Sequence, residues 1–177
     1  MAQEEPFIGC TGDVGDDLGS RIIAARQVRN VMRLAFLIEK TYAPYFKWFG
    51  SAFAKLTCAP KLMPLFENVW QVNNWQPREA ALNEAYLFMA RWHNKLNLTD
   101  LLPAEVSYFH ERPYRIINSE LFAEALYSQI KEPQVRTLPH GLGNLDQISD
   151  STDVLSKPKR FPKFSALFAQ GDPYSKT

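Results

Sequence analysis

In the segment Tyr42-Ala-Pro-Tyr-Phe-Lys-Trp-Phe-Gly50, a proline separates two helical segments, and the predicted architecture follows from this break. Pro44 suits the first turn of a helix, where the N–H that proline lacks would have no intrahelical partner in any case. We therefore predict that one long helix ends near Thr41 and that a second helix begins near Tyr45.

Tyr45, Lys47 and Trp48 then lie on one turn at the start of this second helix. Tyr and Trp rings often line pockets in which one end of the ring must stay hydrated. The same spacing is typical of a packed corner from which Lys47 extends its ammonium group into solvent. The sequence leaves both interpretations open.

A long helix is predicted upstream of this corner, capped by Asp16 or Asp17. Its second half, residues 31 to 38, is apolar nearly all round apart from Arg33, which is typical of a central, buried helix. A second long helix is predicted from Pro77 to about Asn97.

Shorter elements complete the prediction: helices over residues 45 to 56 and 60 to 70, a connector over 98 to 118 with a short extended piece at 114 to 117, and a helix from Ser119. Pro133 either interrupts this last helix or starts a short one toward Leu138. The fold class is all-α, an irregular helical bundle around two long helices with extended terminal arms. The predicted boundaries are an N-terminal arm over residues 1–11, a helical domain over 12–155 and a C-terminal arm over 156–177.

The composition fits a single domain of 177 residues, with 46% hydrophobic and 13% aromatic residues to form a core. The net charge of +1 gives no general attraction to nucleic acid or to anionic membranes. No apolar run approaches the ~20 residues that span a bilayer. The acidic start has no signal-peptide pattern, so Cys10 and Cys58 are expected to be reduced thiols in the cytoplasm.

Four basic residues on the first long helix lie close to one face, at steps of three, four and seven: Arg26, Arg29, Arg33 and Lys40. Arg33 lies in an apolar stretch and needs a partner, because a buried unpaired charge is very costly. That partner is either an internal carboxylate, such as Glu39, Glu79 or Glu84, or a ligand phosphate.

The second long helix carries a polar stripe at positions i, i+4, i+7 and i+14: Glu79, Asn83, Tyr86 and His93. It is interpreted as a solvated face or, alternatively, as the polar wall of a cleft.

Near the C-terminus, Asp146, Asp150 and Asp153 are better explained as helix caps than as a metal site. The basic run over residues 157 to 163 is expected to be a solvated tail rather than a nuclear-targeting signal.

Several catalytic patterns are missing from the sequence. Neither Gly19-Ser20 nor Gly50-Ser51 is followed by the acidic pair that holds two metal ions in nucleotidyltransferases. No phosphate-binding glycine loop or Cys-x-x-Cys pair is present, and His93, His110 and His140 lack metal-ligand spacing. We therefore expect no metal and no cofactor.

Several sequence landmarks, in order, resemble the helical domain of unknown function that usually follows a nucleotidyltransferase domain in bacterial and fungal proteins. They are Gly12-Asp-Val-Gly-Asp-Asp-Leu-Gly-Ser-Arg21, Val31-Met-Arg-Leu34, Tyr42-Ala-Pro-Tyr45, Lys47-Trp48, Trp75-Gln-Pro-Arg-Glu79, His93-Asn94, Arg112-Pro113 and Asp146-Gln-Ile-Ser-Asp-Ser-Thr-Asp-Val-Leu155. The resemblance implies a helical fold that works beside a separate nucleotidyltransferase domain and forms part of the binding site for a small-molecule acceptor.

By this resemblance the chain is an acceptor-binding half without its catalytic half, and it is not expected to be catalytic alone. The residues expected to line the acceptor wall are Arg33, Lys47, Trp48, Arg78 and Glu79. Arg33 and Arg78 would bind anionic groups, Trp48 would stack, and Glu79 would act as a base or hydrogen-bond acceptor. The alternative is a stand-alone interaction or structural protein, or the remnant of a longer gene, in which these residues only hold the fold.

Overall fold

The computed structural model describes residues 1–136, 157, 159, 161 and 162. The chain divides into two compact units, Met1–Gln129 and Ile130–Thr177. The first unit contains helices α1 (Phe7–Asp13), α2 (Asp17–Ile38), α3 (Phe46–Phe53), α4 (Ala59–Gln71), α5 (Trp75–Lys95) and α6 (Ser119–Ser128), and strands β1 (Ser107–Tyr108) and β2 (Arg115–Ile116). In the second unit, the described residues include one short helix, α7 (Pro133–Arg136).

Helix α2 is the central helix of the first unit, as its apolar second half predicts. Asp16 caps it, since the backbone N–H of Gly19 donates to the Asp16 carboxylate at 2.8 Å. Val31 and Ala35 are fully buried on its inner face. The helix ends at Ile38, and Lys40 then turns the chain with a positive φ of 51°.

The corner at Pro44 is confirmed, but Pro44 lies two residues before α3 and not in its first turn as predicted. Tyr45 is the extended residue before α3, and Phe49 and Phe53 of α3 face the core. The rings of Phe36 on α2 and Phe49 lie 5.3 Å apart, which places α3 against the C-terminal end of α2.

Helices α4 and α5 pack against each other and, together with α1, against α2. Helix α4 begins at Ala59, with Pro60 tolerated in its first turn. Helix α5 is the predicted second long helix, and it begins at Trp75, two residues before Pro77. The core therefore lies between the two long helices and the shorter α4.

The connector between α5 and α6 contains a small antiparallel hairpin. Strand β2 forms in the segment that was predicted to be extended, and it pairs with β1 in the register Ser107–Ile116. Tyr114 and Ile117, on either side of β2, are buried. The hairpin thus closes over the first half of α5.

The predicted loose N-terminal arm is wrong. Residues Ala2–Glu4 form a 3-10 turn and residues 7 to 13 form α1, while Glu5 and Ile8 are 3% and 1% exposed. Burial of Ile8 against α2 is what holds this segment in a helix. Among the described residues, no helix is long and apolar enough to cross a membrane.

Candidate functional site

The first turn of α5 buries two charged residues that the sequence singled out. Arg78 is fully buried, and its guanidinium group donates to Asp17 Oδ1 and to Ser20 Oγ, both at 2.7 Å. Because Arg21 also binds Asp17, hydrogen bonds from Arg21 and then Arg78 hold the pKa of the Asp17 carboxyl below its usual value. A ligand anion could therefore reach Arg78 only by displacing Asp17.

Glu79 is 6% exposed and lies beneath the hairpin. Its Oε1 accepts the backbone N–H of Arg115 at 3.1 Å. On the other side, Gly9 leaves room for the carboxylate, since a Cβ at Gly9 would lie 3.1 Å from the same oxygen. Burial raises the pKa of Glu79 to about 7, against a smaller lowering by the Arg115 N–H and charge.

The rest of the polar stripe on α5 is buried as well, so its interpretation as a solvated face is wrong. Asn83, Tyr86 and His93 are 5%, 2% and 8% exposed. The Tyr86 hydroxyl donates to Gln27 Oε1 at 3.1 Å. Neither ring nitrogen of His93 has a hydrogen-bond partner among the described residues, and the ring packs edge-on against Phe122 at 5.1 Å. The stripe faces protein because the hairpin covers Asn83, the N-terminal segment lies near Tyr86 and α6 covers His93.

Glu5 is a central member of this buried polar region that sequence reasoning missed. Its carboxylate accepts the backbone N–H groups of Ile117, Asn118 and Ser119 at 2.8, 3.1 and 2.8 Å, and also the Ser119 hydroxyl. It thereby caps α6 from more than 100 positions away. The sequence offers little indication of this role, since Glu5 lies three residues before Ile8 in a segment without helical periodicity.

Aromatic side chains of the α2–α3 corner point to solvent. We call Tyr42, Tyr45, Phe46, Lys47 and Trp48 the corner surface. Their four aromatic members, Tyr42, Tyr45, Phe46 and Trp48, are 86%, 49%, 48% and 52% exposed. The Lys47 ammonium lies 5.1 Å from the centre of the Trp48 ring. In a corner packed into the core, these four aromatic rings would be less exposed than they are here.

The predicted wall residues do not form one surface. Arg78 contacts the N-terminal end of α2 at Ser20, whereas α3 contacts its C-terminal end at Phe36. Between these two positions α2 rises about 24 Å, at about 1.5 Å per residue. Arg78 and Glu79 therefore lie at one end of the unit, Lys47 and Trp48 at the other, and Arg33 lies partly buried on α2.

Within the described ranges, no cluster of His, Cys, Asp or Glu side chains is arranged to hold a metal ion. The sequence-based interpretations of Asp146, Asp150, Asp153 and His140, and of most of the basic run after residue 156, fall outside the described residues. Cys58 is a buried thiol whose pKa is raised to about 12 by burial and by the neighbouring Glu39 carboxylate, so it stays protonated.

Part of the chain matches a known protein family. The family model described as a domain of unknown function, DUF4037, matches residues 1–49. The matched part contains the N-terminal 3-10 turn, α1, α2 and all five residues of the corner surface. No curated protein and no solved structure matches the chain. The match supports the presence of a domain of unknown function.

Proposed function

We propose that this protein is a cytoplasmic, non-catalytic helical module that docks onto a separate nucleotidyltransferase domain and forms one wall of the acceptor-binding cleft. The observation that carries the proposal is the corner surface, in which Tyr42, Tyr45, Phe46 and Trp48 are all at least 48% exposed. Its support from sequence is the resemblance to the helical domain that follows nucleotidyltransferases, to which the corner stretch itself contributes.

The chemistry of the corner surface suits a protein partner. Tyr, Trp and Phe are enriched at interfaces because each buries a large area with few rotatable bonds, and Tyr and Trp keep a polar tip. Lys47 lies beside Trp48 and adds a cation that can meet a carboxylate at the rim of an interface. Of the predicted wall residues, Lys47 and Trp48 are the two that a partner or an acceptor can reach directly.

Glu79 contributes differently in this proposal. At 6% exposure it does not meet an acceptor in the present conformation. A general base must come within hydrogen-bond reach of the acceptor hydroxyl. In a catalytic role Glu79 would therefore require the hairpin at Arg115 to move when the partner docks. Without that movement, Glu79 would have only a structural role, in which its carboxylate accepts the backbone N–H of Arg115.

A second candidate function is a stand-alone structural or interaction protein, and one observation favours it. Arg78 and Glu79 belong to the landmarks shared with the resembling family, and both direct their polar groups to partners inside the fold. If the landmarks only maintain the fold, no nucleotidyltransferase is needed.

The two functions are distinguished by purifying the tagged protein from its native host and identifying what is recovered with it. We expect a nucleotidyltransferase-type protein in near-equal amount, and we expect the double variant Tyr45→Ala/Trp48→Ala to lose it. Trp70→Ala is the matched control, because Trp70 is 42% exposed on α4, away from the corner surface. Recovery of the chain alone, stable and monodisperse, from all three proteins would favour the stand-alone function.

A further inference from the structure

A small open cleft of about 360 Å³ lies where the N-terminal ends of α2 and α5 meet, and it takes no part in the proposed docking. It is lined by Gly12, Gly15, Asp17, Asn73, Asn74, Trp75 and Gln76. The volume is at the lower end of the range for small-molecule sites, about 300–1,000 Å³. The corner surface is at the other end of α2, so the two surfaces can be tested separately.

Most of the residues that line the cleft have polar side chains. It combines the carboxamides of Asn73, Asn74 and Gln76 with one carboxylate and one indole ring. None of these three carboxamides has a side-chain hydrogen bond to another described residue, and Asn74 precedes α5 without capping it through its side chain. Each carboxamide can both donate and accept hydrogen bonds, so the set is complementary to a ligand rich in hydroxyl groups.

The aromatic wall of the cleft is held firmly in place. Gly12 lies so close to Trp75 that a Cβ at residue 12 would be 2.4 Å from Trp75 Cβ. The ring of Tyr114 meets the indole edge-on, with ring centres 5.8 Å apart. Because the ring is already fixed next to hydrogen-bonding groups, a ligand that packs against it loses little free energy to ordering the Trp75 side chain.

The charge balance favours a neutral ligand. Asp17 is the charged side chain in the lining, and its oxygens lie 2.7 Å from Arg21 Nε and 2.7 Å from Arg78. Its negative charge is already compensated, so a cation gains little there. Anions are disfavoured because the exposed carboxylates of Asp13 and Asp16 lie on the same segment. Asp17 can still accept a hydrogen bond from a hydroxyl group.

From this combination we infer that the cleft binds a neutral, polyhydroxylated ring, that is, a monosaccharide unit, with Trp75 against its apolar face and with Asn73, Asn74, Gln76 and Asp17 around its hydroxyl groups.

The inference is tested by NMR on the full-length ¹⁵N-labelled protein, following the side-chain NH₂ signals of Asn and Gln and the indole signal of Trp75. The probes are the methyl glycosides of glucose, galactose, mannose and N-acetylglucosamine, with sodium phosphate and spermidine as an anion and a cation. We expect at least one glycoside to shift the signals of the cleft residues in a saturable way, and neither ion to do so.

The variant Asn73→Ala/Gln76→Ala should bind that glycoside about tenfold more weakly, because two hydrogen-bonding groups are lost. Both residues are exposed, so the fold should be retained, as circular dichroism would show. The matched control is Asn68→Ala/Gln71→Ala, which removes two exposed amides of α4 outside the cleft and should bind like the unmodified protein. The inference is overturned if no glycoside shifts the cleft signals, if only phosphate or spermidine does, or if both double variants bind equally well. None of these results bears on docking at the corner surface.

Discussion

Glu79 shows how a single residue can carry a pH dependence for the whole unit. Its carboxyl group is 6% exposed, and Arg115 gives it one backbone hydrogen bond. Burial penalises the charged form more than that hydrogen bond favours it, so its pKa rises from 4.5 to about 7. The folded state therefore binds the Glu79 proton more tightly than the unfolded state does.

The sign of the effect on stability follows from this difference. The contribution of protonated Glu79 is fully present below about pH 4.5 and is lost as the pH rises through about 7. A shift of this size corresponds to roughly 3 kcal/mol. Glu79→Gln keeps an acceptor for the Arg115 N–H and removes the charge. We therefore expect it to raise the free energy of unfolding at about pH 8 and to flatten the pH dependence between about pH 5 and 8.

Urea unfolding followed by circular dichroism across this pH range measures the change. Glu84→Gln is the control, because Glu84 is an exposed carboxyl on the same helix. An unchanged pH dependence in Glu79→Gln would mean that the carboxyl is hydrated and titrates normally in the folded protein.

At the scale of elements, helix α1 is where the sequence was least informative. It is only seven residues long and contains Gly9 and Gly12, both weak helix formers. Yet each glycine allows a close contact: Gly9 with Tyr114 and Glu79, and Gly12 with Trp75. The helix is set by packing against α2, α5 and the hairpin, which local sequence patterns cannot reveal.

Two glycine substitutions test this explanation of α1. Gly12→Ala should lower the free energy of unfolding by about 1–3 kcal/mol, because its Cβ would overlap Trp75 and force α1 away from α5. Gly50→Ala, in the middle of α3, should instead raise it by about 0.5–1 kcal/mol, because the new Cβ would meet no atom within 4 Å beyond the neighbouring residues and the backbone of its own helix. Urea midpoints measure both changes. Equal effects of the two substitutions would contradict a close α1–α5 contact.

The longer elements were predictable because their signals are local. Pro44, the Asp16 cap and the apolar run before Ile38 fixed α2 and the corner, and the predicted starts of α4 and α5 were wrong by no more than two residues. For the candidate site, the resemblance singled out Arg78 and Glu79 as wall residues, but the sequence did not show which way they face. Glu79 is buried by Gly9 and by the hairpin at Arg115, and Arg78 by its contacts with Asp17 and Ser20, all of which come from distant parts of the chain.

At the scale of the whole Met1–Gln129 unit, Glu5 connects the N-terminal segment to α6, the last helix of that unit. Asn118, the residue before α6, has a positive φ of 55° and provides no side-chain cap. The carboxylate of Glu5 instead accepts hydrogen bonds from the backbone N–H groups of residues 117 to 119. Residues 2 to 13 therefore close the unit around α5, so opening of either end should expose the polar stripe.

Replacing Glu5 with alanine should consequently destabilise the unit as a whole rather than α6 alone. A buried charged acceptor with several donors contributes about 3 kcal/mol, and its loss leaves the N–H groups of Ile117, Asn118 and Ser119 without a partner. Hydrogen exchange should become faster at these amides and also on the first half of α5, which the hairpin covers. Gln3→Ala, an exposed neighbour in the same segment, is the control and should leave exchange unchanged. Faster exchange confined to α6 would show instead that the N-terminal segment caps one helix without closing the unit.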